Sequence, residues 1–102
     1  MKSFAVTIAA SAQRQADRID AWWRENRPGA PNLFDDELHA ALVKLSTGPL
    51  GPIYRNARGR PPVLLILLAR SSHHVYFRVD EDQVGVHVLA VWHAARGRGP
   101  TL

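Results

Sequence analysis

Four side chains in the second half of the sequence belong to types that could cleave RNA: Arg70, Tyr76, Arg78 and His93. Cleavage by a neighbouring 2′-hydroxyl needs a group that moves a proton and cations that stabilise the charge developing on the phosphate. His93 or Tyr76 could move the proton, and Arg70 or Arg78 could hold the phosphate. The set is thin for this reaction, because both lysines of the chain fall outside the predicted strands.

A second group of candidate residues lies at the C-terminal end. Arg96 and Arg98 alternate with Gly97 and Gly99, directly after a β-branched strand that ends near His93. Glycine leaves the backbone free, and arginine supplies a planar cation with several donors. We therefore expect Arg96, Arg98 and His93 to bind a target molecule, and we expect the tail beyond the strand to contain no core residue.

Composition restricts the other kinds of chemistry. The chain has 102 residues, 46% of them apolar, which predicts one domain spanning residues 1–102. It has no cysteine, which excludes disulfides, thiolate zinc sites and a cysteine nucleophile. The adjacent His73 and His74 would point to opposite faces of a strand, so they predict no metal site, and no cofactor motif is present. The longest apolar run, 63–69, is too short to span a bilayer, and no signal peptide is evident, so we expect a cytoplasmic protein.

The net charge of +4 comes entirely from the second half of the chain. Residues 1–51 contain six basic and six acidic side chains, whereas residues 52–102 contain seven arginines and three acids. An acidic partner, either nucleic acid or an acidic protein segment, is therefore expected to contact the second half.

Hydrophobic periodicity predicts an α+β fold. An alternating strand around 4–8 is followed by an amphipathic helix that ends near Asn26 and by a second helix that Asn32 precedes and Gly48 ends. Strand patterns follow at 63–69, 75–79 and 84–92. The predicted architecture is an N-terminal strand, an α-helical hairpin and then a three- to four-stranded antiparallel sheet.

Strict alternation in the last two strands predicts which side chains face the helices. We expect the helix-facing core to comprise Val75, Phe77, Val79, Val84, Val86, Val88, Ala90 and Trp92. The opposite face would then present Tyr76, Arg78, Leu89 and Val91, which one helical hairpin cannot cover. We expect this strip to bind a protein partner, with self-association as the alternative.

In these features nearly the whole chain resembles the ParE-like toxins of the RelE/ParE superfamily, which belong to type II toxin–antitoxin pairs. The residues that carry the resemblance lie, in order, at Trp22–Pro28, Pro31–Phe34, Gly48–Gly51, Arg70, His74–Asp80 and Ala90–Pro100. The resemblance implies a helical hairpin packed on a curved sheet. It also implies a cognate antitoxin that wraps the toxin, expected to be of the ribbon-helix-helix, ParD-like type. The strip of Leu89, Val91, Tyr76 and Arg78 would then bind the antitoxin in a hetero-oligomer.

The resemblance leaves two activities open. ParE-type members poison DNA gyrase, whereas RelE-type members cleave mRNA on the ribosome. The thin cationic set favours the gyrase-directed toxin; the nuclease reading would use Arg70, Tyr76, Arg78 and His93. A non-toxic interaction or operator-binding module is the third possibility, disfavoured because neither helix shows a cluster of base-reading residues.

Overall fold

A computed structural model describes residues 3–95 and 97–102 of the chain. It contains two helices and one four-stranded sheet, in the order β1 (Ala5–Ile8), α1 (Ala10–Asn26), α2 (Leu33–Thr47), β2 (Leu64–Leu68), β3 (His73–Asp80) and β4 (Gly85–His93). The strands are arranged β1-β4-β3-β2, and β1 runs parallel to β4 while the other pairs are antiparallel. The α+β fold with its N-terminal strand and helical hairpin is confirmed, but the sheet is mixed. An alternating pattern marks a strand without indicating the direction of its neighbour.

Both helices pack on one face of the sheet and form the main core. Helix α1 contributes the small residues Ala12 and Ala16, which allow close approach to the sheet, and α2 contributes larger side chains. The fully buried Phe34 and Phe77 meet in this cluster, which also contains the expected residues Val75, Val86 and Val88. Apolar burial of this kind is the main contribution to folding stability.

A β-bulge at Leu89 alters the second half of β4. Tyr76 pairs with Ala90 and Phe77 pairs with Val88, so β4 has one more residue than β3 at this point. An extra residue reverses the faces of all side chains that follow it. Val91 therefore joins the main core, whereas Ala90 and Trp92 lie on the opposite side. The expected positions of these three residues were wrong, because strict alternation assumes an unbroken ladder.

The sheet face opposite the helices, here called the outer face, is covered by the chain itself. The covering segments are the loop of residues 49–62 and the strap, defined as residues 97–102. Tyr76, Ala90 and Val63 are buried beneath them in a second core, against which these partly buried side chains pack: Tyr54, Ala57, Leu65, Leu89, Trp92 and Leu102. Pro100 of the strap is buried as well. The expectation that the tail contains no core residue was therefore wrong.

Hydrogen bonds fix the strap in place. The Tyr54 hydroxyl donates to the Pro100 carbonyl at 2.7 Å, and the Trp92 indole donates to the Arg98 carbonyl at 3.2 Å. Gly99 lies so close to Tyr54 that a Cβ atom there would be 2.5 Å from the hydroxyl. A side chain at position 99 would push the strap away from the tyrosine.

Neither helix in the described part of the chain has the length and apolarity needed to cross a bilayer. The same residues contain no cluster of three or more histidines and carboxylates that could hold a metal ion.

Candidate functional site

The four candidates for RNA cleavage lie on opposite sides of the sheet. Tyr76 and Arg78 belong to the outer face, two residues apart on β3. Arg70, in the turn between β2 and β3, and His93, at the end of β4, line a groove beside helix α1. The structure thus separates the four residues into two pairs, one on each side of the sheet.

The pair on the outer face is already engaged by the protein. Tyr76 is 3% exposed, and its ring contacts Tyr54 edge-on at 4.7 Å between centroids. Burial raises the pKa of Tyr76, and Tyr54 adds to the effect. The guanidinium of Arg78 donates to the carbonyls of Pro61 and Arg58. A buried phenol of raised pKa is poorly placed to exchange a proton with a substrate at neutral pH.

The second pair lies in an open groove of about 630 Å³, here called the arginine–tryptophan groove. Helix α1 forms one wall, and the β2–β3 turn and the ends of β3 and β4 form the other. The residues that line it are Arg18, Ile19, Trp22, Trp23, Arg27, Arg70, Ser71, Ser72, His73, His93 and Ala95. The groove combines aromatic rings, three guanidinium groups and two imidazoles, so it presents a cationic rim around an apolar wall.

Helix periodicity places the α1 side chains of the groove together. Arg18 precedes Trp22 by four residues, and Ile19 precedes Trp23 by the same interval, so the four lie on adjoining rows of the helix surface. Trp22 is 47% exposed, and its ring meets that of Trp23 edge-on at 5.9 Å. The Arg27 guanidinium lies 5.1 Å from the Trp22 ring centroid and 5.8 Å from that of Trp23. This cation–π cluster holds Arg27 at the rim.

Glu37 of α2 fixes the opposite wall. Its carboxylate accepts hydrogen bonds from the backbone amides of Arg70 and Ser71, at 2.7 and 3.0 Å, and from the Ser71 hydroxyl at 2.6 Å. The carboxylate thus bonds the backbone of the turn, and Arg70 itself is exposed. Sequence reasoning missed Glu37, since an acid in the first turns of a helix also suits the helix dipole.

Two histidines lie edge to face at the end of the sheet, with ring centroids 5.0 Å apart. His73 is 5% exposed, and within the described residues its Nδ1 has no hydrogen-bond partner. Burial lowers the pKa of His73, and the nearby His93 lowers it further. His93 is exposed, and its Nδ1 accepts the backbone amide of Ala95 at 3.1 Å. The sequence prediction that His73 and His74 point to opposite faces is confirmed.

The residues expected to bind a target occupy different surroundings. His93 lies in the arginine–tryptophan groove, whereas Arg98 lies in the strap on the outer face. Arg98 is exposed, and its carbonyl accepts a hydrogen bond from the Trp92 indole. Arg96 lies outside the described residues. His93 and Arg98 therefore lie in different parts of the structure, and their role in target binding stays a prediction.

The strip expected to bind a partner protein is largely covered. Val91 is 3% exposed in the main core, so its expected exposure was wrong, because the bulge turns it inward. Tyr76 is buried, Arg78 is bonded to the 49–62 loop, and Leu89 is half-buried against the second core. The apolar surface that the sequence assigned to a partner is covered by the loop and the strap.

Comparison with known families agrees with this arrangement. A family model described as the ParE toxin of the type II toxin–antitoxin system parDE matches residues 6–97, nearly the whole chain. This chain belongs to the ParE toxin family. The match includes both helices and all four strands except Ala5, the first residue of β1. No curated protein matches the sequence.

Solved structures share the fold of this ParE-family chain at low sequence identity. The chromosomal ParDE system of P. aeruginosa aligns with a TM-score of 0.66 at 15% identity, covering 89% of this chain and 96% of that one. The RelBE2 complex of Mycobacterium tuberculosis gives 0.61 at 19% identity, with coverages of 89% and 98%. The intact E. coli RelBE complex gives 0.58 at 23% identity, with coverages of 92% and 100%. ParE-type and RelE-type structures are thus matched alike, and they establish the fold.

Proposed function

We propose that this chain arrests growth by binding DNA gyrase and is neutralised by a cognate antitoxin of the ribbon-helix-helix type. Membership of the ParE toxin family supports the toxin–antitoxin pairing. Complexes with antitoxins among the structural neighbours are consistent with a protein partner.

The division of the four nuclease candidates favours target binding over RNA cleavage. General acid–base catalysis requires the proton-moving group within hydrogen-bond reach of the reacting atoms. Tyr76 is buried under the strap, and Arg78 is bonded to loop carbonyls, whereas Arg70 and His93 lie in a groove on the other side. No single surface of the described chain holds the four groups together.

Induced expression in a bacterial host separates the two activities. A gyrase-directed toxin should arrest growth, induce the DNA-damage response and inhibit supercoiling by purified gyrase, while translated mRNA remains intact in primer-extension assays. Codon-linked cuts in mRNA with unaffected gyrase would overturn the proposal, and absence of growth arrest would favour a non-toxic interaction module.

The target-binding role of the tail is best tested by side-chain substitution. Deleting the residues after Ala95 would remove the buried Pro100 and also Leu102, which packs against the second core. The double variant Arg96→Ala/Arg98→Ala retains the strap backbone, including the carbonyl that accepts from Trp92. We expect it to fold normally and to need at least about tenfold more protein for gyrase inhibition, the loss of roughly 1.4 kcal/mol of binding. Undiminished inhibition would exclude the tail arginines from the target interface.

Ribosome-dependent mRNA cleavage remains a second candidate because of one observation. Arg70 and His93 line the same groove, together with His73. If the chain were a nuclease of this reduced kind, His93→Gln would lower the cleavage rate by about 10²–10⁴-fold. Under the favoured proposal, His93→Gln leaves most of the growth arrest intact.

A further inference from the structure

We propose that the arginine–tryptophan groove is a docking site for an acidic, amphipathic segment of the antitoxin, which places an apolar side chain against Trp22 and carboxylates on Arg18 and Arg70. This inference rests on the proposed antitoxin partner and moves the contact from the outer face to the opposite side of the sheet. Three properties of the groove support it: its arginines without ion pairs among the described residues, its exposed aromatic wall and its buried imidazole.

The arginines of the groove form no ion pair with any carboxylate of the described residues. Among residues 3–95 and 97–102, the one ion pair joins Arg24 to Asp20, away from the groove lining. Glu37 packs against the turn that contains Arg70, but its carboxylate oxygens accept hydrogen bonds from the turn backbone and the Ser71 hydroxyl. Arg18, Arg27 and Arg70 thus form a cationic rim supplied by two different segments of the chain. Such a rim is complementary to a partner that carries several carboxylates.

The apolar wall favours a peptide over a small anion. Trp22 leaves 47% of its surface exposed beside Ile19 and Trp23. Tryptophan and arginine are both enriched among the residues that dominate binding energy at protein interfaces. A free anion would use the guanidinium groups and leave the indole in water. An amphipathic segment with an apolar side chain between acidic ones would satisfy both.

The lining of the groove includes a buried imidazole, that of His73. His73 is 95% buried, since it is 5% exposed, and its Nδ1 lacks a partner among the described residues. Unpaired buried nitrogen atoms are costly, and a polar group of a bound segment would remove that cost. The outer face, by contrast, has its Tyr54 hydroxyl, Trp92 indole and Arg78 guanidinium all bonded to carbonyls of the protein.

Calorimetric titration of the full-length toxin with the antitoxin encoded by the adjacent reading frame tests the proposal. Arg18→Glu/Arg70→Glu should weaken binding by at least about 100-fold. The matched control, Arg14→Glu/Arg55→Glu, makes the same change in net charge at one exposed position of α1 and one exposed loop position, both outside the groove. We expect the control to bind within about threefold of the unmodified toxin, since exposed charges away from the contact act only through attraction that salt screens.

A second variant tests the apolar contact. Trp22→Ala should weaken binding by about 10–100-fold, and Trp22→Phe should recover most of the affinity. Because Trp22 is exposed in the free toxin, its fluorescence should shift to shorter wavelength on complex formation. Far-ultraviolet circular dichroism and thermal unfolding establish that each variant retains the fold.

The outcomes separate the site from the partner. Tight binding by the unmodified toxin with undiminished binding by both groove variants would overturn this site and leave the proposed antitoxin pairing standing. Equal weakening by the groove and control charge reversals would also overturn it, because the attraction would then be general. Absence of any binding by the unmodified toxin would overturn both the pairing and the site.

Discussion

The outer face and the arginine–tryptophan groove contain similar types of residue, but the first is covered by the chain and the second is open. Each contains aromatic rings, arginine and histidine, and each lies on the same strands of the sheet. On the outer face, loop 49–62 and the strap bury the tyrosines and accept the hydrogen bonds of Arg78 and Trp92. In the groove, Trp22 is exposed and the arginines lack carboxylate partners among the described residues. Residue types alone therefore do not identify a binding surface. The two regions differ in whether the protein itself supplies partners for their polar groups, and the groove is the region where such partners are missing among the described residues.

The largest expected difference between the two regions is in stability. Tyr76→Ala on the outer face should lower the free energy of unfolding by about 3–5 kcal/mol, because it leaves a cavity in the second core. Trp22→Ala in the groove should cost less than about 1 kcal/mol, since half of the indole is already exposed. Urea unfolding of the two variants measures the contrast, and equal losses would show that the groove wall is structural.

A smaller effect is expected where the groove wall is anchored. Glu37→Gln removes the charge that strengthens three hydrogen bonds to the β2–β3 turn, and should cost about 1–2 kcal/mol. Asp35→Asn on the same helix, at an exposed position, is the control and should cost less than about 0.5 kcal/mol. Chemical denaturation compares the two. A Glu37 variant as stable as its control would mean that the turn keeps its position without the carboxylate.

The smallest expected effect is a pH dependence in the lining of the groove. Burial, followed by the nearby His93, lowers the pKa of His73 from its ordinary value of 6.5. The unfolded chain therefore takes up this proton at higher pH than the folded chain does. The contribution of His73 to stability is therefore fully present above about pH 6.5, and it is lost as the pH falls below that value towards the lowered pKa of the folded state.

Thermal unfolding of His73→Phe at a series of pH values tests this contribution. The loss of Tm between about pH 7.5 and 5.5 should be smaller in the variant than in the unmodified protein, since the titrating ring is absent. His39→Gln changes an exposed histidine of α2 and should retain the original slope. An identical slope in all three proteins would contradict a contribution from His73.

Local patterns determined most of the fold and little of the candidate site. Both helices followed from the spacing of their apolar residues, and the apolar run at 63–69 marked β2 correctly. The direction of β1 and the bulge at Leu89 depend on pairing between distant segments, which alternation in one segment does not encode.

The groove was missed for a related reason. Its residues come from α1, the β2–β3 turn and the ends of β3 and β4, and they are brought together by folding. The Tyr54–Pro100 and Glu37–Ser71 hydrogen bonds likewise connect residues far apart in sequence. The tail of glycine and arginine resembled free chain because Tyr54, whose hydroxyl bonds the carbonyl of the buried Pro100, lies far away in the sequence.

The bulge at Leu89 also determines how this sequence can change by insertion or deletion. Loss of the single codon for Leu89 would restore continuous pairing from Gly85 onward, with Val88 still opposite Phe77 and Ala90 still opposite Tyr76. Val91 would then stay in the main core, and Ala90 and Trp92 would stay on the outer face. This in-frame deletion would therefore remove the bulge and leave the residues of both cores where they are.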